Sequence, residues 1–139
     1  MKKLFLGILA ISLLMACHSN SSNGNLSAAN SAAVPGDAPK MQFEKETHDF
    51  GKIRSGDKVT YDFKFTNTGK SPLIITDAKA SCGCTTPNWP KTPIKPGENA
   101  TIKVIFDSSG KNGLQDKQIV VTANTNPPQN IVHLIGEVD

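Results

Sequence analysis

The stretch Val59-Thr60-Tyr61-Asp62-Phe63-Lys64-Phe65 (VTYDFKF) has the most regular pattern in the chain. Large apolar side chains at residues 59, 61, 63 and 65 alternate with polar side chains between them. Because successive side chains of a β-strand point to opposite faces, this period of two predicts a strand with one buried face. We therefore expect a domain built from strands that each bury one side.

The same alternation recurs through residues 40–139. It is found around Ile102, Val104 and Phe106, around Ile119 and Val121, and around Val132, Leu134 and Val138, with shorter apolar segments at residues 41–44 and 73–75. Turn-forming sequences separate these segments, and in Lys95-Pro96-Gly97-Glu98 the order of proline and glycine predicts a type II turn with a positive φ at Gly97.

The number of strands and the length of the domain together predict its architecture. Residues 40–139 suffice for one hydrophobic core, and they contain no run of ten or more positions with apolar residues at helical spacing. Six or seven strands with one apolar face each can bury those faces by forming two sheets that pack against each other. We predict an all-β, immunoglobulin-like antiparallel β-sandwich of about seven strands, with a barrel as the alternative.

The first 16 residues have the organisation of a secretory signal peptide. Lys2 and Lys3 precede an apolar run from residue 4 to residue 15, which is too short to span a bilayer as a permanent helix. The sequence Leu14-Met15-Ala16-Cys17 resembles the lipobox of bacterial lipoproteins, in which the cysteine after the cleavage site is lipidated. This resemblance predicts a lipoprotein signal peptide at residues 1–16 and a diacylglyceryl group on Cys17.

Residues 17–39 are rich in Ser, Asn, Ala and Gly, without a periodic apolar pattern, and predict a lipidated, disordered and flexible tether. The expected location is the cell envelope, where a lipid anchor in a bacterial membrane would leave the domain facing the periplasm or the cell surface.

Loss of Lys2 and Lys3 with the signal peptide lowers the formal net charge from +3 to +1. This near-neutral charge argues against nucleic acid as a partner.

Several short sequences, in a fixed order, resemble the DUF1573 family of bacterial envelope domains, which is abundant in Bacteroidetes. They are His48-Asp49-Phe50-Gly51, Phe63-Lys64-Phe65-Thr66-Asn67-Thr68-Gly69, Pro72-Leu73-Ile74-Ile75, Ser81-Cys82-Gly83-Cys84-Thr85, Ile94-Lys95-Pro96-Gly97 and Gly136. The resemblance covers nearly all of residues 43–138. It implies an immunoglobulin-like fold and an envelope setting, but no activity, because the family has none assigned.

Cys82-Gly83-Cys84 carries the most reactive side chains of the predicted domain, and three interpretations of it are open. An oxidising envelope favours a local disulfide, but closing a three-residue loop contributes only about 1.6 kcal/mol, so the pair would be either a loop-shaping element or an easily reduced redox pair. Two thiolates are also soft ligands for copper or zinc, with His48 and His133 as the remaining histidines of the domain. In the third interpretation both cysteines pack as small apolar side chains.

No sequence pattern for catalysis is present, so we expect no enzyme and no resident cofactor. His48-Asp49 lacks a nucleophile and an oxyanion site, and an ordinary strand-entry role is the better interpretation. Trp89, placed by the proline-rich sequence on the same loop as the thiols, either contacts a partner or closes one end of the core. We expect a non-enzymatic binding or structural module that recognises an envelope protein or glycan, with a thiol redox or copper-handling protein as the alternative.

Overall fold

The computed structural model describes residues 37–139, so the signal peptide, Cys17 and most of the predicted tether lie outside the described residues. Eight strands form: β1 (Met41–Phe43), β2 (Thr47–Ile53), β3 (Lys58–Asn67), β4 (Ile75–Ala80), β5 (Thr85–Asn88), β6 (Asn99–Asp107), β7 (Gly113–Ala123) and β8 (Gln129–Val138). Within the described part of the chain, no helix has the length and apolar character needed to cross a membrane.

The strands form two four-stranded sheets, which we call sheet A and sheet B. Sheet A has the order β1-β3-β6-β5, and sheet B has the order β2-β8-β7-β4. This arrangement confirms the predicted immunoglobulin-like sandwich, with one strand more than the approximate count of seven. Every strand pair is antiparallel except β2 and β8, which run parallel, so the fully antiparallel prediction was wrong for this pair.

The core lies between the two sheets and consists of the side chains that alternation places inward. Fully buried large side chains are contributed by β3, β6, β7 and β8: Phe63, Phe65, Ile102, Val104, Phe106, Ile119, Val121, Val132 and Leu134. Val59 and Tyr61, toward the start of β3, are only partly buried. The period of two in the sequence therefore correctly predicted which face of each long strand is covered.

Two edge strands were not predicted, and each has a local reason. In β2 the pairing with β8 shifts register between Asp49 and Lys52, and Gly51 has a φ of 72°, so the alternation is interrupted by a bulge. β5 contains Pro87, which cannot donate a backbone hydrogen bond. A proline is tolerated there because β5 is an edge strand that pairs only with β6.

The end of β3 is held by Asn67, whose side chain is fully buried. Its amide nitrogen donates to the carbonyl oxygens of Ser71 and Ile94, both at 2.9 Å. Its Oδ1 accepts from the backbone N–H of Gly69 at 3.0 Å and of Lys40 at 3.3 Å. One side chain thus joins three segments, because a buried amide must satisfy its own donors and acceptors.

The turn before β6 and the residues before β1 are also well defined. In the turn at residues 95–98, Gly97 has a φ of 77° and Glu98 donates its backbone N–H to the carbonyl of Lys95 at 3.0 Å, as the type II prediction requires. Ahead of β1, Pro39 is buried and Ala38 lies against Gly69, so packing begins slightly before residue 40.

Candidate functional site

The turn of residues 81–84, here called the crossover turn, carries the chain from β4 of sheet B to β5 of sheet A. At its start, Ser81 donates its backbone N–H to the carbonyl of Gln118 on β7 at 2.9 Å. At its end, the carbonyl of Cys84 accepts from the backbone N–H of Asp107 on β6 at 2.9 Å. The two ends of the turn are therefore fixed to opposite sheets by backbone hydrogen bonds.

Cys82 and Cys84 are joined by a disulfide within this turn, and their Cα atoms are 5.3 Å apart. Both cysteines are partly exposed, but Cys84 packs against the hydrophobic core. The hydroxyl oxygen of Thr85, a residue only 4% exposed, lies 3.5 Å from Sγ of Cys82 and 4.0 Å from Sγ of Cys84. The crossover turn therefore presents an accessible sulfur pair with one buried hydroxyl beside it.

The structure does not bring the proposed metal ligands together. The two sulfurs are bonded to each other, and His48 lies on β2, at the opposite lateral edge of the sandwich from β4 and β5. Among residues 37–139, no three His, Cys, Asp or Glu side chains gather closely enough to hold a metal ion. A disulfide sulfur is also a poor ligand, because metals bind the thiolate form.

His48 is part of an aromatic contact between the two sheets. Its ring stacks on Tyr61 of β3 with the ring centroids 3.6 Å apart and the planes 7° apart, and Tyr61 contacts Phe63 edge to face. Burial lowers the pKa of His48 below its ordinary value of 6.5, Lys45 lowers it further, and Asp49 opposes the shift. These contacts favour a neutral imidazole with a packing role.

His133 lies on the outer face of sheet B, where the alternation of β8 places it. Its Nδ1 is 2.9 Å from a carboxylate oxygen of Asp116 on the neighbouring β7. The side chain of His133 is 34% exposed and that of Asp116 is 61% exposed. The pair is an open surface contact and is separate from the crossover turn.

Trp89 is not on the same loop as the thiols, because β5 lies between them. Its ring packs against the core, and the ammonium group of Lys91 lies 3.0 Å from the ring centroid. Its Nε1 is buried and has no hydrogen-bond partner among the described residues. Trp89 borders a shallow depression of about 310 Å³, which is also lined by Asn88, Pro90, Thr101 and Lys103.

The match to a family model fits this fold and its sequence motifs. Residues 41–138 match the model described as "Protein of unknown function (DUF1573)", and this range includes all eight strands. The chain belongs to the DUF1573 family. No protein of curated function is significantly similar to it.

Solved structures place this DUF1573 domain among PapD-like and immunoglobulin-like folds. A protein of unknown function from Porphyromonas gingivalis W83 is 18% identical with a TM-score of 0.66, and the match covers 78% of this chain and 51% of that chain. The human CEP192 ASH/PapD-like domain 7 is 10% identical with a TM-score of 0.57, covering 96% and 98%. The secreted serine protease VesC from Vibrio cholerae is 12% identical with a TM-score of 0.55, covering 73% and 23%.

These similarities show the fold alone. The present chain spans about half of the Porphyromonas protein and about a quarter of the protease.

Most of the motif residues that resemble the DUF1573 family have packing roles in the structure. Asp49 accepts the backbone N–H of Gly51 at 2.8 Å within the β2 bulge, Phe50 covers Gly136, and Asn67 holds the end of β3. Gly97 provides the positive φ of its turn. The crossover turn is different, because Gly83 is exposed and neither cysteine is a buried core residue, although Cys84 contacts the core.

Proposed function

We propose that this protein is a lipid-anchored component of the bacterial cell envelope that acts as a non-enzymatic binding module, with the crossover turn at the centre of its binding surface. The partner is another envelope protein, with an envelope glycan as the competing outcome of the test. The observation that carries the proposal is the location of the motif residues. Most motif residues stabilise the sandwich by packing or by forming its turns. The crossover turn belongs to the same set of motifs but lies at the surface, where it can contact another molecule.

The environment of the crossover turn supports protein recognition. β4 ends at Ala80, which pairs with Ile119 of β7, and Ser81 still donates to the carbonyl of Gln118, so the open side of β7 runs from residue 117 back to Gly113. Over this stretch β7 pairs with β8 on one side only. Unpaired backbone groups on the open side of a strand can accept an extended segment of another protein by strand addition.

Anchoring rests on the sequence of residues 1–17. Lipidation of Cys17 would attach acyl chains that hold the protein at a membrane, because each buried methylene group contributes roughly 0.8 kcal/mol. A copper- or zinc-handling role is not included in this proposal, since the described residues supply two bonded sulfurs and no third ligand beside them.

The test is affinity capture from detergent-solubilised envelopes with the full chain as bait. The informative variant is Gly83→Arg, because a Cβ at Gly83 meets no atom within 4 Å and Gly83 does not have a positive φ. The substitution therefore adds bulk and charge to the crossover turn without disturbing the core. We expect a defined protein to be captured by the wild type and lost with Gly83→Arg.

Thr47→Arg is the matched control, because Thr47 is exposed on β2 at the opposite edge of the sandwich. Thr47→Arg adds the same side chain as Gly83→Arg, and the captured protein should still be found with it. Capture that is empty for the wild type, or equal for wild type and Gly83→Arg, contradicts the proposal. Capture of glycan in place of protein would contradict the choice of partner.

A further inference from the structure

We propose that the Cys82–Cys84 disulfide is a reversible thiol-exchange site, at which a thiolate of another molecule opens the bond by attacking Cys82. The donor belongs to the class of dithiol proteins or low-molecular-weight thiols. This inference does not depend on partner binding at the crossover turn, and the two proposals can fail separately. It is carried by the anchoring of the turn, the unequal packing of the two cysteines against the core and the position of Thr85.

The fold does not depend on the sulfur–sulfur bond. Hydrogen bonds from Ser81 to Gln118 and from Asp107 to Cys84 hold the two ends of the turn on opposite sheets. Thr85 donates its backbone N–H to the carbonyl of Cys82 at 3.2 Å and pairs with Phe106 in sheet A. A disulfide that closes so short a loop also removes little chain entropy. Opening it should therefore leave the crossover between the sheets intact.

The two sulfurs differ in their surroundings. Cys84 packs against the core, whereas Cys82 is outside that set of packed residues. Next to Cys82, Gly83 is exposed and its Cβ position faces open space. An incoming thiolate therefore reaches Cys82 more readily, and Cys84 becomes the leaving sulfur.

The exchange is balanced in two steps. The attacking sulfur forms a bond to Sγ of Cys82, the bond between Cys82 and Cys84 breaks, and its electron pair moves to Sγ of Cys84. A second thiolate of the donor then attacks the donor sulfur in the mixed disulfide, and this attack releases Cys82 as a thiolate. Both cysteines end as thiols after uptake of two protons from solvent. The donor dithiol is oxidised by two electrons to its own disulfide.

Thr85 is the positioning residue. It is almost completely buried, and its Oγ1 lies within hydrogen-bond range of both sulfurs. The Oγ1 of Thr85 is 3.5 Å from Sγ of Cys82 and 4.0 Å from Sγ of Cys84 in the bonded pair, so the hydroxyl can turn to the farther sulfur when the bond breaks and Cys84 becomes a thiolate. A hydrogen bond to a thiolate lowers the pKa of the thiol and makes it a better leaving group.

The primary test uses the purified full chain equilibrated in glutathione buffers of graded ratio. Acid quenching, alkylation and mass spectrometry measure the reduced fraction, and circular dichroism follows the fold. We expect the pair to pass reversibly between fully oxidised and fully reduced while the spectrum of the folded protein is unchanged. A disulfide that resists every buffer, or that is reduced only when the domain unfolds, overturns the proposal.

Single-cysteine variants test which of the two sulfurs the sulfur of another molecule reaches more readily, which is the basis for assigning the attack to Cys82. Cys84→Ser leaves the thiol of Cys82, and Cys82→Ser leaves the thiol of Cys84. The rate of reaction with a chromogenic disulfide should be about tenfold higher for Cys84→Ser, because thiol reactivity follows accessibility as well as thiolate content. Equal rates, or a faster Cys82→Ser, would overturn the assignment of Cys82.

Thr85→Val and Thr85→Ser form a matched pair for the role of the hydroxyl. After reduction, the absorbance of the thiolate measured against pH should shift its midpoint upward in Thr85→Val and remain near the wild-type value in Thr85→Ser. A midpoint that is the same in both variants would remove Thr85 from the mechanism. If either variant fails to fold, the glutathione titration of the wild type still decides the exchange itself.

Discussion

The ring of Phe50 on β2 lies directly over the Cα of Gly136 on the neighbouring strand β8. A Cβ at residue 136 would collide with three carbon atoms of that ring, and the ring also approaches Phe106 with the centroids 5.7 Å apart. Gly136 occupies an inward position of β8 between the buried Leu134 and Val138. The absent side chain therefore makes the space that Phe50 fills.

Gly136→Ala should lower the free energy of unfolding by about 1 to 3 kcal/mol, because the added methyl group forces the Phe50 ring out of its place. Chemical denaturation measures the change. In the background of Phe50→Ala the same substitution should cost much less, since the obstructing ring is gone. A cost of Gly136→Ala that is independent of Phe50 would show that the contact is not its cause.

Asn67→Leu should destabilise the domain by about 2 to 4 kcal/mol, because it leaves the carbonyl of Ser71 and the N–H of Gly69 without the amide of Asn67. It also removes one of the two hydrogen bonds of the Ile94 carbonyl, which keeps only the N–H of Leu73. The control is Asn99→Ala at an exposed residue that accepts only the hydroxyl of Thr66. That change should stay within about 0.5 kcal/mol of the wild type. Equal effects of the two substitutions would contradict the special role of Asn67.

The stability of the domain should fall as the pH drops below about 6.5, in part because of His48. Its pKa is lowered in the folded state, so the unfolded chain binds the proton more readily. The contribution of neutral His48 is complete above the ordinary value of 6.5 and is lost toward lower pH until the folded pKa is passed. Unfolding measured between pH 7.5 and pH 4.5 should show a shallower loss in His48→Gln.

Lys45→Gln provides the complementary test, because Lys45 helps to lower the pKa of His48. Removing that charge should bring the folded pKa closer to the unfolded one and reduce the pH dependence, although less than His48→Gln does. Curves with the same slope for all three proteins would contradict this assignment.

Cys17→Ser should move the protein from the membrane fraction to the soluble fraction and abolish incorporation of labelled fatty acid, as the proposed lipid anchor requires. Cys82→Ser is the control that removes a cysteine from the described domain and should keep the label. Label retained in Cys17→Ser would place the acyl chains elsewhere, and a wild type that takes up no label would contradict lipidation.

Alternation was sufficient to predict the long strands but not the edge strands β2 and β5. Phe63 and Phe65, or Ile102 and Val104, lie in a regular period of two that itself encodes which face is buried. In β2 the positive φ of Gly51 breaks that period. In β5 the presence of Pro87 argued against a strand, although an edge strand that pairs on one side only tolerates a proline. Trp89 and the thiols were predicted to share one loop, and this was wrong because β5 was not predicted and lies between them.

The sandwich, the inward residues of its long strands and the turn at Gly97 could be predicted from sequence, because they follow from local periodicity and from the backbone preferences of proline and glycine. Three relationships are visible only in the folded domain: Phe50 rests on Gly136, His48 stacks on Tyr61 away from the thiols, and the Cys82–Cys84 bond lies in a turn that crosses between the sheets. The contact of Phe50 with Gly136 joins strands that are distant in sequence, and the other two relationships depend on which sheet each strand enters. All three follow from how the strands pair and how the two sheets face each other, which the local sequence pattern does not specify.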